Sequence, residues 1–157
     1  MGLGSNLDNP IKQVTKALEE LKLLPNTHLK THSALYRTKP LGSQNQPNYI
    51  NAVAMLVTKL SPLILLDHLQ AIENKQGRVR GAERWGPRTL DLDMLLYDNL
   101  ELQDDRLILP HPGLYERDFV LYPLYECSPD LILPNGLEIE VIINDDINPI
   151  TKIKRKR

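Results

Sequence analysis

The chain of 157 residues has little cysteine and few aromatic residues, since Cys127, Trp85 and Phe119 are each the single residue of their type. A lone cysteine cannot form an internal disulfide and belongs to no metal-ligand spacing, which excludes a disulfide scaffold and a zinc ribbon. No apolar run approaches the length of a membrane span or a signal sequence. These absences predict a cytoplasmic protein with no membrane partner.

A strong charge of one sign is also lacking, because 19 basic and 20 acidic residues leave a net charge of -1. A chain-wide surface for nucleic acid is therefore not expected, although local clusters can still bind phosphate. The chain does have 41% apolar and 25% charged residues, which is typical of one compact domain. We expect a monomeric single domain over residues 1–157, with a disordered basic tail at residues 152–157.

Apolar periodicity, proline positions and turn residues divide the chain into helices and strands. Helices are predicted at residues 10–23, 62–76 and 121–127, strands at 29–38, 49–59 and 89–97, and short extended pieces over 100–109. This order predicts an α+β fold in which helices pack on a largely antiparallel sheet.

Two carboxylates stand two residues apart in the strand predicted at 89–97. Successive side chains of a strand point to opposite faces, so Asp91 and Asp93 share one face and Leu92 lies on the other. Paired carboxylates repel each other unless a cation lies between them, and hard oxygen ligands suit Mg²⁺ held jointly with substrate phosphates. An isolated pair of this kind is more often a solvated edge, so its interpretation depends on the neighbouring residues.

Five cations and three glycines stand within the fourteen residues that end just before this pair. Guanidinium groups bind phosphate oxygens in a forked geometry, and glycines let a loop close over a polyphosphate. A solvated basic loop, paired with nearby acids, is the alternative. Beside the carboxylates, the segment favours a polyphosphate ligand held by Lys75, Arg78, Arg80, Arg84 and Arg88.

The segment RWGPRTLDLDML at residues 84–95 resembles the signature of the 6-hydroxymethyl-7,8-dihydropterin pyrophosphokinase family and fits it at every position. Other motifs of that family follow in the same order along nearly the whole chain. They are Gly4-Ser5-Asn6-Leu7, Tyr36-Arg37-Thr38, Pro40-Leu41-Gly42, Gln46-Pro47-Asn48-Tyr49 with Asn51, Gln76-Gly77-Arg78, and Pro110-His111 with Arg117-Asp118-Phe119. The resemblance implies a ferredoxin-like α-β-α sandwich. It also implies transfer of the β,γ-diphosphate of ATP to the hydroxymethyl group of a reduced pterin, giving AMP, in folate biosynthesis.

The resemblance further implies roles for individual residues. Asp91 and Asp93 would bind two Mg²⁺ ions that bridge the ATP phosphates. The residues assigned to ATP and to the transfer step are Gln70, Trp85, His111 and Arg117 for binding and Arg78, Arg80 and Arg88 for catalysis. Those assigned to the pterin pocket are Thr38, Leu41, Tyr49, Asn51 and Phe119, with the ring held between Tyr49 and Phe119.

At its start the chain departs from relatives in that family, because only Met1-Gly2-Leu3 precede Gly4 and we therefore expect a shortened first strand. Two other functions remain open. One is a regulatory module that binds nucleotide through the arginine loop, which needs neither Tyr49 nor Phe119. The other is RNA binding through the basic tail at residues 152–157.

Overall fold

A computed structural model of the protein describes residues 1–40, 45–77, 89–146 and 151–152. Within these ranges the chain forms twelve elements. The strands are β1 Gly2–Ser5, β2 Thr27–His32, β3 Tyr36–Thr38, β4 Tyr49–Thr58, β5 Asp91–Asp93, β6 Leu102–Gln103, β7 Ile108–Leu109 and β8 Thr151–Lys152. The helices are α1 Pro10–Leu21, α2 Pro62–Lys75, α3 Asp118–Cys127 and α4 Ile139–Asp146.

The main sheet is antiparallel at every described pairing, with the order β5-β1-β4-β3-β8 and with β2 paired to the second half of β4. If β2 and β3 are counted as one interrupted strand, the elements up to β5 follow the order βαββαβ, with β1 between β4 and β5. This is the split arrangement of a ferredoxin-like sandwich. The α+β prediction with a largely antiparallel sheet is confirmed.

Helices cover both faces of the sheet, and each face has its own core. The first core joins α1 and α2 to the face that carries Leu3, Ala52 and Leu92. The second core joins α3 and α4 to the opposite face at Val53. Because β4 contributes alternate residues to both cores, the two helix layers are built on the same central strand.

Helices α1 and α2 form where the sequence predicted them. Each begins at a proline, whose fixed φ suits a first helical position and whose missing N–H is not needed there. Each then turns one apolar stripe towards the first core. The buried apolar positions are Val14, Ala17, Leu18 and Leu21 in α1, and Leu65, Leu66, Leu69 and Ile72 in α2.

The structure differs from the sequence expectations at both ends of the chain. Gly2–Ser5 form a strand paired on both sides, so the first strand is present at the centre of the sheet. Helix α3 begins at Asp118, three residues before the predicted start, and α4 was not predicted. Lys152, the first residue of the tail predicted to be disordered, pairs with Tyr36 in β8, and residues 153–157 lie outside the described ranges.

Within the described part of the chain, no helix has the length and apolar character needed to cross a bilayer.

Helix α3 is tied through Glu126 to β3 and to the residues just before it. Its Oε2 accepts hydrogen bonds from the Tyr36 hydroxyl at 2.8 Å and from the Ala34 N–H at 2.9 Å. Burial, followed by this hydrogen bond to Glu126, raises the pKa of Tyr36 above its usual value. The bond therefore joins a 7% exposed side chain of β3 to a helix of the second core.

We expect Tyr36→Phe to lower the free energy of unfolding by about 2 kcal/mol, because one hydrogen bond to a carboxylate is lost while the ring stays buried. Urea denaturation monitored by circular dichroism measures the change. Tyr125→Phe is the matched control, since the Tyr125 hydroxyl makes no hydrogen bond to the described part of the chain. Equal stability losses in the two variants would contradict the tie through Glu126.

Candidate functional site

The register of β1 brings polar residues of three strands onto one face of the sheet. Gly4 lies directly opposite Asp91 on one side and Asn51 on the other. Gly2 lies opposite Asp93 in the next row. Directly opposed residues of antiparallel strands share a face, so the carboxylates and Asn51 face the same side. They lie on the α3 side of the sheet, the side that carries the second core.

Strand β1 contributes only Gly2 and Gly4 to this face, between the carboxylates and Asn51, and this strip without side chains is the glycine gap. Strands are spaced about 4.8 Å apart, so Asp91 and Asn51 are separated by about 10 Å across β1. A Cβ atom at Gly4 would lie 2.9 Å from Asn51 Oδ1 and 3.6 Å from Tyr49 Cδ1. Gly4 is itself buried, and only glycine leaves room at this position for the Asn51 amide and the Tyr49 ring.

The alternation expected for the carboxylate pair is confirmed, although β5 is shorter than the strand predicted at 89–97. Asp91 and Asp93 are partly exposed, whereas Leu92 between them is 3% exposed and packs in the first core. Two carboxylates on one open face provide hard oxygen donors. Among the described residues no group of three or more His, Cys, Asp or Glu side chains could hold a metal, so these two would need further ligands from phosphate or water.

Asn51 and Thr38 form a buried polar pair beside the glycine gap. Asn51 Nδ2 donates to Thr38 Oγ1 at 2.6 Å, and the two residues are 7% and 9% exposed. Tyr49 pairs with Thr38 across β3 and β4, so its side chain lies on the same face. The structure thus brings three of the predicted pocket residues together, with an amide already oriented by one hydrogen bond.

His111 and Arg117 lie in the loop between β7 and α3. The His111 N–H donates to the Leu95 carbonyl at 2.9 Å, which holds the loop beside the chain that leaves β5. His111 Nδ1 accepts from the Gly113 N–H at 3.0 Å, which leaves Nε2 as the protonated nitrogen of a neutral ring. Burial lowers the pKa of His111, the charge of Arg117 lowers it further, and Asp91 opposes the shift.

Arg117 lies between Gly113 and the aromatic residue of the predicted pocket. Its guanidinium carbon is 5.7 Å from the centroid of the Phe119 ring, in the range of a cation–π contact. On its other side a Cβ atom at Gly113 would overlap Arg117 Nε and lie 2.7 Å from Cζ. Phe119 is partly buried against the second core at the start of α3.

Gln70 lies on α2, away from the glycine gap and beside the turn that joins β6 and β7. Its Oε1 is 3.4 Å from Nη2 of Arg106, which also pairs with Asp67. Arg106 was not among the residues singled out from the sequence, because a single cation between two acidic residues and an apolar run carries no distinctive pattern.

Several predicted site residues lie outside the described ranges, namely Leu41, Arg78, Arg80, Trp85 and Arg88. The described residues add two site positions to which the sequence analysis assigned no role, Gly4 and Gly113, and one residue beside the site, Glu73. Gly4 and Gly113 are important because the absence of a side chain leaves room for Asn51 and Arg117, and no periodic sequence pattern reveals this. Glu73 did carry a readable signal, because it continues the buried stripe of α2 one turn after Leu69.

Comparison with known proteins identifies the family. Residues 1–129 match the model of the 7,8-dihydro-6-hydroxymethylpterin-pyrophosphokinase family. The chain is 54% identical over 143 residues to the 2-amino-4-hydroxy-6-hydroxymethyldihydropteridine pyrophosphokinase of Haemophilus influenzae, covering 91% of this chain and 89% of that protein. It is 50% identical to the enzyme of the same name from Pseudomonas aeruginosa, over 91% and 88% of the two chains. It is 38% identical to the enzyme of the same name from Methylorubrum extorquens, over 98% of this chain and 97% of that protein.

A chain that matches such relatives nearly from end to end is a pyrophosphokinase, an enzyme of the ATP-dependent diphosphokinase class. More narrowly, it belongs to the 7,8-dihydro-6-hydroxymethylpterin-pyrophosphokinase family. The resemblance seen at residues 84–95 is confirmed.

We expect Gly113→Ala to move the Arg117 guanidinium off the Phe119 ring, because the new methyl group occupies the space of Arg117 Nε. The displaced atoms are at the end of a flexible side chain, so the free energy of unfolding should fall by less than about 1 kcal/mol. A crystal structure of the variant, together with urea denaturation, checks both points. An Arg117 that keeps its distance from Phe119 in the variant would contradict the role of Gly113.

Proposed function

We propose that the protein transfers the β,γ-diphosphate of ATP to the hydroxymethyl group of 6-hydroxymethyl-7,8-dihydropterin, giving AMP and the pterin diphosphate in folate biosynthesis. The family match and the names of the relatives support this function. The observation that carries it is the shared sheet face, where Asp91 and Asp93 stand across a glycine gap from Asn51 and Tyr49. A carboxylate pair and a pocket for a flat ring then lie about two strand spacings apart, which suits a phosphate donor and a pterin acceptor bound side by side.

The pterin would occupy the pocket formed by Thr38, Leu41, Tyr49, Asn51 and Phe119. Support comes from the Asn51–Thr38 hydrogen bond, which orients the amide and leaves Oδ1 towards the glycine gap. A polar heterocycle edge could pair with that amide, and aromatic rings contribute stacking beyond their buried area. A regulatory module that binds only nucleotide would have no use for this second set of contacts.

Asp91 and Asp93 would hold two Mg²⁺ ions together with the phosphates of ATP. The fit rests on the donor set, because two carboxylate oxygens on an open face suit an ion that keeps phosphate and water as its remaining ligands. When bound, Mg²⁺ would neutralise negative charge on the phosphate oxygens. The directions of the two carboxylate side chains are restrained, since Leu92 between them is anchored in the first core.

The nucleotide would contact Gln70, Trp85, His111 and Arg117, with Arg78, Arg80 and Arg88 assisting the transfer. The hydroxymethyl oxygen would form a bond to the β-phosphorus of ATP. The bond between the β-phosphorus and the oxygen that bridges it to the α-phosphorus would break, and AMP would leave with that oxygen. Neutral His111 presents Nε2–H as a hydrogen-bond donor, and Arg117 adds a permanent positive charge beside it. Positioning and electrostatics of this kind supply most of the rate in phosphoryl transfer.

The proposal extends to the organisation of the protein. We take residues 1–157 as one domain that acts as a monomer in the cytoplasm. The two cores support one domain, because alternate residues of β4 belong to each of them.

One assay tests the function directly. The protein is incubated with ATP, Mg²⁺ and 6-hydroxymethyl-7,8-dihydropterin, and the products are separated by chromatography. AMP and the pterin diphosphate in equal amounts support the proposal. ADP as the nucleotide product, or no product, overturns it.

Loss of either carboxylate should nearly abolish turnover. We expect Asp91→Ala and Asp93→Ala each to lower kcat by at least about 100-fold, which corresponds to about 2.7 kcal/mol of transition-state stabilisation. Melting temperature serves as the check on folding, since both side chains are partly exposed. Turnover near that of the wild type at saturating ATP, pterin and Mg²⁺ would remove the affected residue from the metal site.

The glycine gap gives a prediction for the pterin alone. We expect Gly4→Ala to weaken pterin affinity at least about 10-fold, or about 1.4 kcal/mol, because its Cβ atom would displace Asn51. Gly2→Ala is the matched control on the same strand and face, since a Cβ atom there meets Leu95 at an ordinary 3.7 Å. Calorimetric titration should find the affinity of the control within about threefold of the wild type. Equal affinities in the Gly4 and Gly2 variants would place the pterin elsewhere.

A further inference from the structure

A buried acidic residue, Glu73, lies beside the edge of β5 that faces away from β1. It has no role in the site described above. Glu73 is 2% exposed on α2, in the stripe that otherwise carries Leu65, Leu66, Leu69 and Ile72. Burial of a carboxylate is costly unless the group is hydrogen-bonded. A leucine at this position would extend the apolar stripe at no such cost, so the presence of glutamate calls for a reason.

The reason lies in the contact that Glu73 makes. Its Oε2 accepts a hydrogen bond from the Leu92 N–H at 2.9 Å. Leu92 is the middle residue of β5, and within the described ranges the only strand that pairs with β5 is β1. The Leu92 N–H points away from β1, at the edge where a further strand would otherwise accept it. Glu73 thus supplies the acceptor that the sheet lacks at this one position.

This hydrogen bond controls the direction of both neighbouring side chains. The peptide plane that contains the Leu92 nitrogen also contains the Asp91 carbonyl, so fixing that plane restricts ψ of Asp91 and φ of Leu92. Those are two of the four backbone torsions that set the direction of the Asp91 side chain relative to that of Asp93. On the other edge the pairing with Gly4 and Gly2 restrains the same two residues.

We propose that Glu73 is a positioning residue that holds the peptide between Asp91 and Asp93, and thereby sets the geometry of the carboxylate pair for a divalent cation. The inference rests on the proposed function. Glu73 lies on the opposite edge of β5 from β1 and acts on the pair through the Leu92 N–H. Its hydrogen-bond acceptor is what matters, so an uncharged side chain of the same length that retains a carbonyl oxygen serves as well.

Three variants separate this role from a general contribution to stability. Glu73→Gln keeps an acceptor of the same length, and Glu73→Leu fills the space without one. Leu69→Val is the matched control, because Leu69 is 0% exposed on the same stripe one turn earlier and its apolar side chain offers no acceptor to the Leu92 N–H. If Glu73→Leu does not fold, Glu73→Met replaces it, since methionine is unbranched and favours helix.

The first measurement is made without metal or nucleotide. Hydrogen exchange of the Leu92 amide should be at least about 10-fold faster in Glu73→Leu than in the wild type, and within about threefold in Glu73→Gln, because only the former removes the acceptor. The second measurement is the affinity for Mn²⁺ in the presence of a non-hydrolysable ATP analogue, followed by electron paramagnetic resonance. Here we expect at least a 10-fold loss in Glu73→Leu and less than a threefold change in the other two variants.

The third measurement is the Mg²⁺ concentration that gives half-maximal turnover at saturating ATP and pterin. It should rise at least 10-fold in Glu73→Leu while Leu69→Val stays within threefold of the wild type. A folded Glu73→Leu with unchanged metal affinity overturns the proposal, as does a Glu73→Gln as impaired as Glu73→Leu, or a Leu69→Val with the same loss. A wild-type protein that forms no AMP refutes the proposed function instead, and the exchange and Mn²⁺ measurements still decide the role of Glu73.

Discussion

The pairing of β1 between β4 and β5 is the constraint on which the rest of the site depends. This strand contributes two glycines to one face and Leu3 to the other, and its register places Gly4 opposite both Asp91 and Asn51. A slip of one residue would turn Leu3 into the gap and the glycines into the first core. Both the apolar packing against α1 and α2 and the separation of the carboxylates from the pocket by two glycines are therefore fixed by the same hydrogen-bond ladder.

The α1 and α2 face of the sheet stabilises the fold, whereas the α3 face both stabilises the fold and carries the candidate site. The α1 and α2 face is covered by apolar side chains, whereas the α3 face is covered by the second core at Val53 and by the polar side chain of Asn51 at Gly4. The boundary lies within β4, where Val53 is buried in the second core and Asn51, two residues earlier, reaches the gap. Val53 and Asn51, two residues apart on one strand, thus belong to the core and to the pocket, so the pocket is joined directly to the buried second core.

Local patterns in the sequence were enough to predict α1, α2, the long strand β4 and the alternation at Asp91 to Asp93. Each of these rests on periodicity within a few residues. Strand β1 was underestimated because two of its four residues are glycines with no strand preference, and its partners supply the stability. The break between β2 and β3 depends on Ser33, whose N–H and Oγ both bond to the backbone of Val53, a contact between residues distant in sequence.

The site residues also divide into those that sequence motifs indicate and those whose role depends on contacts between residues distant in sequence. Family motifs indicated Asp91, Asn51 and His111 from the sequence, but the close contact of Asn51 with Gly4 and the packing of Arg117 on Gly113 depend on register and loop conformation. Glu73 is the intermediate case. Its place in an apolar stripe was visible in the sequence, whereas its partner, the Leu92 N–H, is a backbone group that any residue would provide.

The charge state of the loop between β7 and α3 follows from the same packing. Because burial and Arg117 lower the pKa of His111, and because Nδ1 already accepts the Gly113 N–H, the ring stays neutral at physiological pH. The loop then presents one cation, Arg117, and one neutral donor near Asp91. A charged imidazolium would compete with a metal ion for the carboxylates, whereas neutral Nε2–H can bond a phosphate oxygen without attracting them. The arrangement therefore leaves the negative charge of Asp91 and Asp93 available to a divalent cation and directs the donors of the loop to the anionic ligand.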